Sequence, residues 1–248
     1  VKRSFRFVNN DMAKAFLKIR NHPRYKATIR DIEMKLIEEN ISKFVAGLEN
    51  QPLNIIDISS TEGEKAKRIF KAFPNTAHLR YCPVNVSEYL VNLATKNIQK
   101  EKFQNTHEYA PNVIEDFDNW QTLSAALRNN SYQKNVILLL GSFISGFDIN
   151  ESLFALSQSM LPGDILIIGN GIRKGERFAN LETYQHPVFN QWLIPLMKTL
   201  GFKEKEVSYR ARFTNNRLEV YYEIKVNKTL AYQNKKIEFR KGDEIIVA

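Results

Sequence analysis

The sequence predicts an α/β protein built around a doubly wound, mostly parallel β-sheet that spans about residues 50–172. Short runs of β-branched and apolar residues alternate there with stretches of helical spacing, which is the order of elements in such a sheet. One predicted strand, Asn135–Leu140, carries apolar residues on both faces, as buried parallel strands do. The connections are too short for the eight units of an α/β barrel.

Helical periodicity precedes the sheet. Residues 1–24 are basic and irregular, with one short helix predicted from Asp11 to Ile19. From Thr28 onward, apolar residues recur at helical spacing until Gly47 and the turn at Asn50–Pro52 end the helix. We therefore assign residues 1–50 to an N-terminal helical segment that forms a lid.

Strands and helices alternate through the central region, residues 51–200. The predicted strands are Leu53–Ile58, His78–Cys82, Thr106–Val113, Asn135–Leu140 and Ile165–Gly169. The predicted helices are Glu64–Phe73, Ser87–Gln99, Trp120–Leu127, Asn150–Met160 and Val188–Leu200. Ser87 is expected to cap its helix, and Gly201 to stop the last one.

Residues 201–248 have a different pattern, typical of antiparallel strands. The predicted strands are Glu206–Phe213, Arg217–Val226, Ile237–Phe239 and Glu244–Val247. Apolar residues in the second of them alternate at period two, and Asn215-Asn216 and Lys241–Asp243 have turn chemistry. We expect a small antiparallel element that forms a wall of the substrate site.

The composition excludes several classes of protein. The 248 residues include one cysteine, Cys82, which rules out a disulfide framework and a cysteine-based zinc site. The longest apolar run, Val136–Leu140, is far shorter than the ~20 residues that cross a bilayer. The four histidines lack metal-ligand spacing, so we expect no metal. We expect a cytoplasmic protein without a signal peptide, and the start at Val1 leaves open that a larger protein contains this chain.

The chain is basic, with a net charge of +9 from 36 Lys and Arg against 27 Asp and Glu. Such an excess fits either a nucleic-acid partner or a solvated, lysine-rich surface. The basic residues are dispersed, and the densest stretch, Lys203–Lys241, also contains five glutamates. We therefore favour the solvated surface and do not expect nucleic acid as the partner.

Ligands of an open α/β sheet bind at the carboxyl ends of the strands, where the strand order reverses. Four loops are predicted at that edge, namely Asp57–Glu64, Tyr81–Ser87, Glu115–Phe117 and Gly141–Phe147. An acid or amide after the second strand is well placed for ribose hydroxyls. An Asp followed by Phe after the third strand suits the amino group and the ring of adenine.

Together, these loops resemble the class I S-adenosylmethionine (SAM)-dependent methyltransferases. More narrowly, the chain resembles the histidine-specific methyltransferase family, whose best-known members trimethylate the α-amino group of histidine. Tyr81–Ser87 matches the family's Y-x-P-[VI]-D-[VI]-S, Leu140–Phe147 its G-S-x-I-G-N-F, and Leu161–Gly169 with Lys174 its l-x-p-G-D-x-L-L-I-G and following lysine. Weaker similarities are Pro23–Tyr25 with Thr28 and Glu33, and Arg217–Val220 before Lys241–Ile245.

The resemblance implies a Rossmann-like fold and a site for SAM, with S-adenosylhomocysteine (SAH) as the product. The implied cofactor residues are Tyr25, Asp57, Ser59, Thr61, Lys65, Asn85, Asp116, Phe117 and Gly141. Lys65 would hold the methionine carboxylate, and Asp116 and Phe117 the adenine. The family's E-L-G-x-G-T-x-x-K is Asp57–Lys65 here, so Ser59 and Thr61 replace two glycines and narrow the space that glycines leave. Asn85 replaces the ribose-binding Asp and lacks its charge.

On the substrate side, the resemblance implies Glu219 and Tyr184 as catalytic residues, and Gly146, Tyr221 and Phe189 as substrate-binding residues. Gly146 replaces the family's histidine-holding Asn, and Tyr221 replaces a small polar residue. We therefore expect a small-molecule amine other than histidine as the methyl acceptor. Glu219 would hold this amine and stabilise its charge. Tyr25, Tyr184 and Tyr221 would form an aromatic wall.

A second function stays open beside the enzyme. Because the substitutions at Ser59, Thr61 and Asn85 coincide, the chain could instead be an inactive methyltransferase-like module that binds a protein partner. The site residues also have plainer explanations. Asp57 and Ser87 are typical helix caps, Glu219 fits the polar face of a strand, and tyrosines more often pack than bind ligands.

Overall fold

The computed structural model describes residues 7, 9–48, 50–115, 120–141, 143–170, 181–214, 217–232 and 235–247. The chain divides into two compact units. The first, called the sheet unit here, comprises Arg30–Ile172. The second, called the terminal unit, is formed by both ends of the chain, Val1–Ile29 and Arg173–Ala248. Each unit has its own core.

The helices and strands follow the predicted order closely. Before the sheet come α1 (Asn10–Asn21), α2 (Pro23–Tyr25), a π-helical turn (Lys26–Arg30) and α3 (Asp31–Val45). The sheet region contains β1 (Leu53–Ile58), α4 (Glu64–Ala72), β2 (Leu79–Asn85), α5 (Glu88–Glu101), β3 (Thr106–Tyr109), β4 (Asn112–Val113), α6 (Leu123–Ala126), β5 (Lys134–Leu139), α7 (Ile149–Ser159) and β6 (Ile165–Ile168). The remainder contains α8 (Leu181–Tyr184), α9 (Pro187–Thr199), β7 (Val207–Thr214), β8 (Arg217–Ile224), β9 (Lys228–Tyr232), β10 (Lys235–Phe239) and β11 (Glu244–Ile246).

The sheet of the sheet unit is parallel, with the strand order β3-β2-β1-β5-β6 and β4 paired to β2. The order reverses between β1 and β5, which confirms the predicted doubly wound sheet. One prediction was wrong in detail. Thr106–Val113 forms two short strands rather than one, because Pro111 between them has no N–H for the ladder. By contrast, β2 continues through Pro83 to Asn85, beyond its predicted end at Cys82.

Strand β1 shows why the sheet is stable. All six of its residues are buried, because helices cover both faces of the sheet. Ile55 packs in one core cluster with Ile37 of α3, whereas Ile56 packs in another with Trp120 and Leu156. Burying each such side chain stabilises the fold by roughly 1.5–3 kcal/mol relative to leaving it exposed.

A row of buried polar side chains crosses three strands near the start of β1. Asn54 is in register with Arg80 of β2 and Asn135 of β5. Its carboxamide oxygen accepts from Arg80 Nε at 2.7 Å, and its nitrogen donates to Asn135 Oδ1 at 2.8 Å. Because a buried polar group without a partner is costly, this row fixes which strands lie next to each other.

In the terminal unit, α1 and α9 pack with an antiparallel sheet of strand order β11-β8-β7, and β9 and β10 form a separate hairpin. The predicted antiparallel C-terminal element is therefore confirmed, although β9 was not predicted. Two histidines cap helices in the same way. His22 and His186 each precede a proline, and each Nδ1 accepts a hydrogen bond from the backbone N–H two residues on. Their rings lie 4.9 Å apart.

Two features are absent from the part of the chain that the structure describes. There, none of the helices combines the length and the apolar character needed to cross a membrane. The same residues contain no group of three or more His, Cys, Asp and Glu side chains placed to hold a metal ion.

Candidate functional site

The carboxyl ends of the central strands bring several predicted cofactor residues to one edge of the sheet unit. Strand β1 pairs with both β2 and β5, so the loops that follow these three strands are neighbours. Asp57 is the penultimate residue of β1, and Asn85 is the last residue of β2. Gly141 follows β5, and Lys65 lies in the first turn of α4. The edge predicted from sequence is therefore assembled.

At this edge, one carboxylate lies between a lysine and a backbone amide. Lys65 Nζ is 2.6 Å from Oε2 of Glu33, and the Gly141 N–H donates to Oε1 of the same side chain at 2.5 Å. The side chains of Lys65 and Glu33 are each only 16% exposed. An ammonium group and an N–H that converge on the two oxygens of one side chain form a site that suits a carboxylate.

Two glycines provide the space for this carboxylate. Gly141 has a φ of +79°, and a Cβ built on it would lie 2.9 Å from Lys65 Nζ. A Cβ on Gly169, which follows β6, would lie 2.5 Å from Oε1 of Glu33. Larger residues at either position would displace the lysine or the carboxylate. Gly141 and Gly169 each lie in a stretch that matches the family, Leu140–Phe147 and Leu161–Gly169.

The loop after β1 accommodates the two departures from the glycine-rich motif. Ser59 adopts a φ of +60°, a left-handed conformation that glycine reaches without strain. Thr61 is partly exposed in the same loop. The glycine that the packing requires is Gly63, whose φ is +72° and whose added Cβ would lie 3.1 Å from the Ala94 carbonyl oxygen. The loop therefore keeps its left-handed turn without a glycine at position 59.

Asp57 faces the core rather than solvent. It is 6% exposed, and its Oδ2 accepts a hydrogen bond from the Tyr81 hydroxyl at 2.9 Å. Burial and the nearby Asp57 carboxylate hold the pKa of Tyr81 well above its usual value, so the phenol stays a donor. Asp57 is not the cap of α4, because the N-cap position before this helix is Gly63, which has no side chain to cap it.

Asn85 uses both ends of its carboxamide inside the loop. It is fully buried, its Nδ2 donates to the Ser60 carbonyl at 2.6 Å, and its Oδ1 accepts from the Ser87 N–H at 3.0 Å. An Asp in this place would have no donor for the Ser60 carbonyl. The side chain predicted to bind the ribose is therefore engaged with the protein itself.

Three further residues were predicted to bind the adenine or the substrate. Asp116 and Phe117 lie outside the described residues. Gly146, predicted to contact the substrate, ends a 3-10 turn, Phe143–Gly146, in the loop after β5. The side chain of Phe143 in this turn packs edge-on against Trp120 in the core. The predictions for Asp116, Phe117 and Gly146 stay predictions.

In the terminal unit, three of the predicted residues form an aromatic cluster. They are Tyr25, Tyr184 and Phe189. The Phe189 ring lies 4.8 Å from that of Tyr184 and 6.2 Å from that of Tyr25. Phe189 is buried, and the two tyrosines are partly exposed. The Tyr209 hydroxyl donates to the Tyr184 backbone carbonyl at 2.5 Å and fixes the end of α8. The aromatic faces are thus held in place by the core of this unit.

Glu219 and Tyr221 lie elsewhere in the terminal unit, around an arginine. Arg212 Nε is 2.9 Å from Oε2 of Glu219, its Nη1 is 2.8 Å from Oε1 of Glu244, and its guanidinium stacks 4.3 Å above the Tyr221 ring. Hydrogen bonds to Glu244 and then to Glu219 raise the pKa of Arg212. The predicted amine-holding carboxylate is therefore already paired with a cation of the protein.

The structure does not bring Glu219 and Tyr184 together. Val220 and Tyr222 point from β8 into the same core cluster that contains Phe189 and borders Tyr184. Because side chains alternate along a strand, Glu219 lies on the opposite face of β8. Glu219 and Tyr184, which were predicted to be catalytic together, thus lie on opposite sides of this sheet.

Sequence reasoning missed Arg212, although a signal for it existed. A hairpin closed by the two residues Asn215-Asn216 pairs 214 with 217 and therefore Arg212 with Glu219, as observed. Glu33 was noted only as a weak similarity, without a role. Its partner Gly141 is 108 residues away along the chain, and no local pattern predicts such a contact.

Comparisons with known proteins agree with the resemblance. A family model described as "Histidine-specific methyltransferase, SAM-dependent" matches residues 11–248. A search of curated proteins finds no significant match.

Several solved structures are similar to this one. A methyltransferase from Geobacter sulfurreducens is 11% identical, with a TM-score of 0.38, and the match covers 75% of this chain and 77% of that one. An O-methyltransferase from Bacillus cereus, solved with SAH, is 13% identical, with a TM-score of 0.42 and coverage of 84% and 86%. The O-methyltransferase TomG from Streptomyces achromogenes, solved with SAM, is 10% identical, with a TM-score of 0.37 and coverage of 71% and 72%.

Proposed function

We propose that this chain, which belongs to the family of histidine-specific, SAM-dependent methyltransferases, methylates the nitrogen of a small-molecule amine. We propose further that this amine is not histidine. The observation that carries the proposal is the carboxylate site at the sheet edge. Lys65 Nζ and the Gly141 N–H hold the two oxygens of the Glu33 carboxylate at 2.6 and 2.5 Å. SAM is an amino acid, and this pair of donors suits the carboxylate at its methionine end.

The chain's own contribution to the reaction is to bind and orient. When bound, SAM supplies an electrophilic methyl group on a sulfonium. The lone pair of the amine nitrogen would form the new N–C bond as the S–CH3 bond breaks, so the nitrogen must be unprotonated when it reacts. The positive charge would pass to the methylated amine, and SAH would leave as a neutral thioether. Such a transfer needs alignment of the reacting atoms more than acid or base catalysis.

The aromatic cluster is the part of the terminal unit best suited to the acceptor. The faces of Tyr25 and Tyr184 attract a methylated ammonium through the negative face of each ring. Phe189 between them is buried and keeps both rings in place. We propose this cluster, rather than Glu219, as the binding site for the amine, since Arg212 already neutralises Glu219.

The acceptor is proposed not to be histidine for chemical reasons. Holding an imidazole requires polar partners that a neutral amide or a free carboxylate provides. Position 146 is a glycine, and Tyr221 carries the guanidinium of Arg212 on its ring. The two positions therefore present no free polar side chain of the family's kind.

Calorimetric titration with SAM and SAH tests the cofactor half of this proposal. We expect binding in the micromolar range, and a loss of about tenfold or more in affinity for SAH in Lys65→Met, because one charge-assisted contact is removed. Lys67→Met is the matched control, since Lys67 lies two residues on and pairs with Glu101 instead. The acceptor half is tested by screening amines, with histidine included, for release of SAH. Turnover of histidine above all other amines would overturn it.

A non-catalytic binding module is the second candidate, and the position of Asn85 favours it. Asn85 is fully buried, and its contacts to the Ser60 carbonyl and the Ser87 N–H leave only one N–H and one oxygen lone pair of the carboxamide for a ribose. If neither SAM nor SAH binds at millimolar concentration, this second function replaces the first.

A further inference from the structure

Within the described part of the chain, the Glu33 side chain occupies the carboxylate site described above. Both of its oxygens are engaged, Oε2 by Lys65 Nζ at 2.6 Å and Oε1 by the Gly141 N–H at 2.5 Å. An amino-acid carboxylate that enters this place needs the same two donors. It must compete with Glu33 for the single Gly141 N–H and for the Lys65 ammonium.

The backbone around Glu33 also leaves space for a carboxylate at this position. Its Oε1 lies so close to Gly169 that a Cβ there would be 2.5 Å away. The carboxylate is thus enclosed by the backbones that follow β5 and β6, which is the ligand-binding edge of the sheet. A surface ion pair would need no such glycine.

The start of α3 is held independently of Glu33. Arg30 donates to both oxygens of Glu64, at 2.8 and 2.6 Å, and this bidentate contact raises the pKa of Arg30. Farther along the helix, Arg68 Nε donates to Glu38 at 2.6 Å. Because these contacts join α3 to α4, the Glu33 carboxylate can swing out by rotation of its side chain without release of the helix.

We propose that Glu33 is a built-in competitor for the carboxylate of the cofactor. Binding of SAM or SAH then exchanges the internal carboxylate for that of the ligand, and the affinity is reduced by the fraction of molecules in which Glu33 occupies the site. The proposal rests on the proposed function, because it needs SAM as the ligand. It makes the glutamate a regulator of cofactor affinity rather than a contact to the cofactor.

The test is calorimetric titration of the wild-type chain and of Glu33→Gln with two ligands. SAH carries the amino-acid carboxylate, whereas 5′-methylthioadenosine is a thioether nucleoside without it. We expect Glu33→Gln to bind SAH about tenfold more tightly, the equivalent of one charge-assisted hydrogen bond at ~1.4 kcal/mol per tenfold. Its affinity for 5′-methylthioadenosine should be unchanged, because that ligand does not need the carboxylate site.

Two further variants make the result specific. Glu38→Gln removes one negative charge and one ion pair from the same helix but lies outside the site, so its affinity for SAH should equal that of the wild type. Glu33→Asp keeps the charge on a side chain one methylene shorter, which cannot reach both donors, so we expect an intermediate gain. It also serves if Glu33→Gln does not fold.

The outcomes separate the inference from the proposed function. SAH binding that is equal to or weaker than that of the wild type in both Glu33 variants would overturn the inference that Glu33 competes with the ligand carboxylate. Weaker binding would make Glu33 a contact to the cofactor, for instance to its ammonium group. Failure of every variant, including the wild type, to bind SAH or 5′-methylthioadenosine would instead reject the proposed function.

Discussion

Arg212 and Glu219 face each other across the β7–β8 hairpin, with 2.9 Å between Nε and Oε2. The same guanidinium covers the Tyr221 ring. A carboxylate and an aromatic face are what an alkylammonium ligand requires, and here the protein's own arginine takes both. The sheet face that resembles a substrate wall is therefore closed by an internal cation.

This relationship predicts the behaviour of Glu219→Gln. We expect turnover of the amine identified by the SAH-release screen to stay within about twofold of the wild type, because Glu219 lies on the sheet face opposite the core that holds Tyr184. The melting temperature should fall slightly, because the pair with Arg212 weakens. Glu223→Gln is the control, because Glu223 lies four residues farther along β8 on the same face and pairs with Arg210. A decrease of kcat by more than about tenfold in Glu219→Gln alone would place Glu219 in the catalytic machinery.

The second prediction concerns Asn85→Asp, which restores the acid typical of the family. We expect this variant to lower the free energy of unfolding by about 2–4 kcal/mol, because a carboxylate oxygen would face the Ser60 carbonyl in a fully buried place. Urea denaturation measures the difference.

Asn129→Asp is the control for this change. The carboxamide oxygen of Asn129 accepts from the N–H groups of Ser131 and Tyr132 in an exposed turn, and a carboxylate accepts equally well. Its stability should be nearly that of the wild type. An Asn85→Asp variant as stable as this control would show that the loop can turn the side chain outward, which would remove the argument for a non-catalytic module.

The predictable part of the fold is the part that local patterns encode. Runs such as Val136–Leu140 have no polar face, so only a strand covered on both sides suits them. Strand β9 was not predicted, because Lys228–Tyr232 mixes polar and apolar residues and has Ala231 between Leu230 and the tyrosine. Its pairing with β10, not its own sequence, makes it a strand.

The candidate site divides in the same manner. Lys65 and Gly141 were predictable, because parallel strands bring the loops at their carboxyl ends to one edge whatever else the chain does. The occupation of that edge by Glu33 was not, since it depends on where a helix 108 residues earlier in the chain comes to lie. The engagement of Asn85 was also beyond reach, because a family pattern gives the residue type but not the direction of its carboxamide.

The third prediction tests where the loop after β1 needs a glycine. Gly63→Ala forces a side chain into a left-handed residue and places its Cβ 3.1–3.3 Å from Ala94 O, Ile98 Cγ1 and the Tyr81 hydroxyl. Gly47→Ala, with a φ of +83° and no atom within 4 Å of the added Cβ, carries the conformational penalty alone.

We expect Gly47→Ala to lower the free energy of unfolding by about 1 kcal/mol, and Gly63→Ala by about 1–3 kcal/mol more, owing to overpacking. Urea denaturation of the two variants gives the difference. Equal effects would mean that Ala94 and α5 move aside, and that the glycine is required for its backbone only.

The last prediction concerns Cys82, in the middle of β2. Burial raises the pKa of its thiol to about 12, against 9.0 for an unperturbed thiol. The native protein should therefore not react with a disulfide reagent at about pH 8, whereas the urea-unfolded chain should react fully.

Between pH 9.0 and about 12 the unfolded state loses the thiol proton before the native state does, so Cys82 lowers the free energy of unfolding as the pH rises through this window. The tyrosines that also titrate there are common to Cys82→Ala, so the difference between the two unfolding curves isolates the thiol. Rapid reaction of the native protein at about pH 8 would show that β2 opens to solvent, and the steeper decline of the wild type would then disappear.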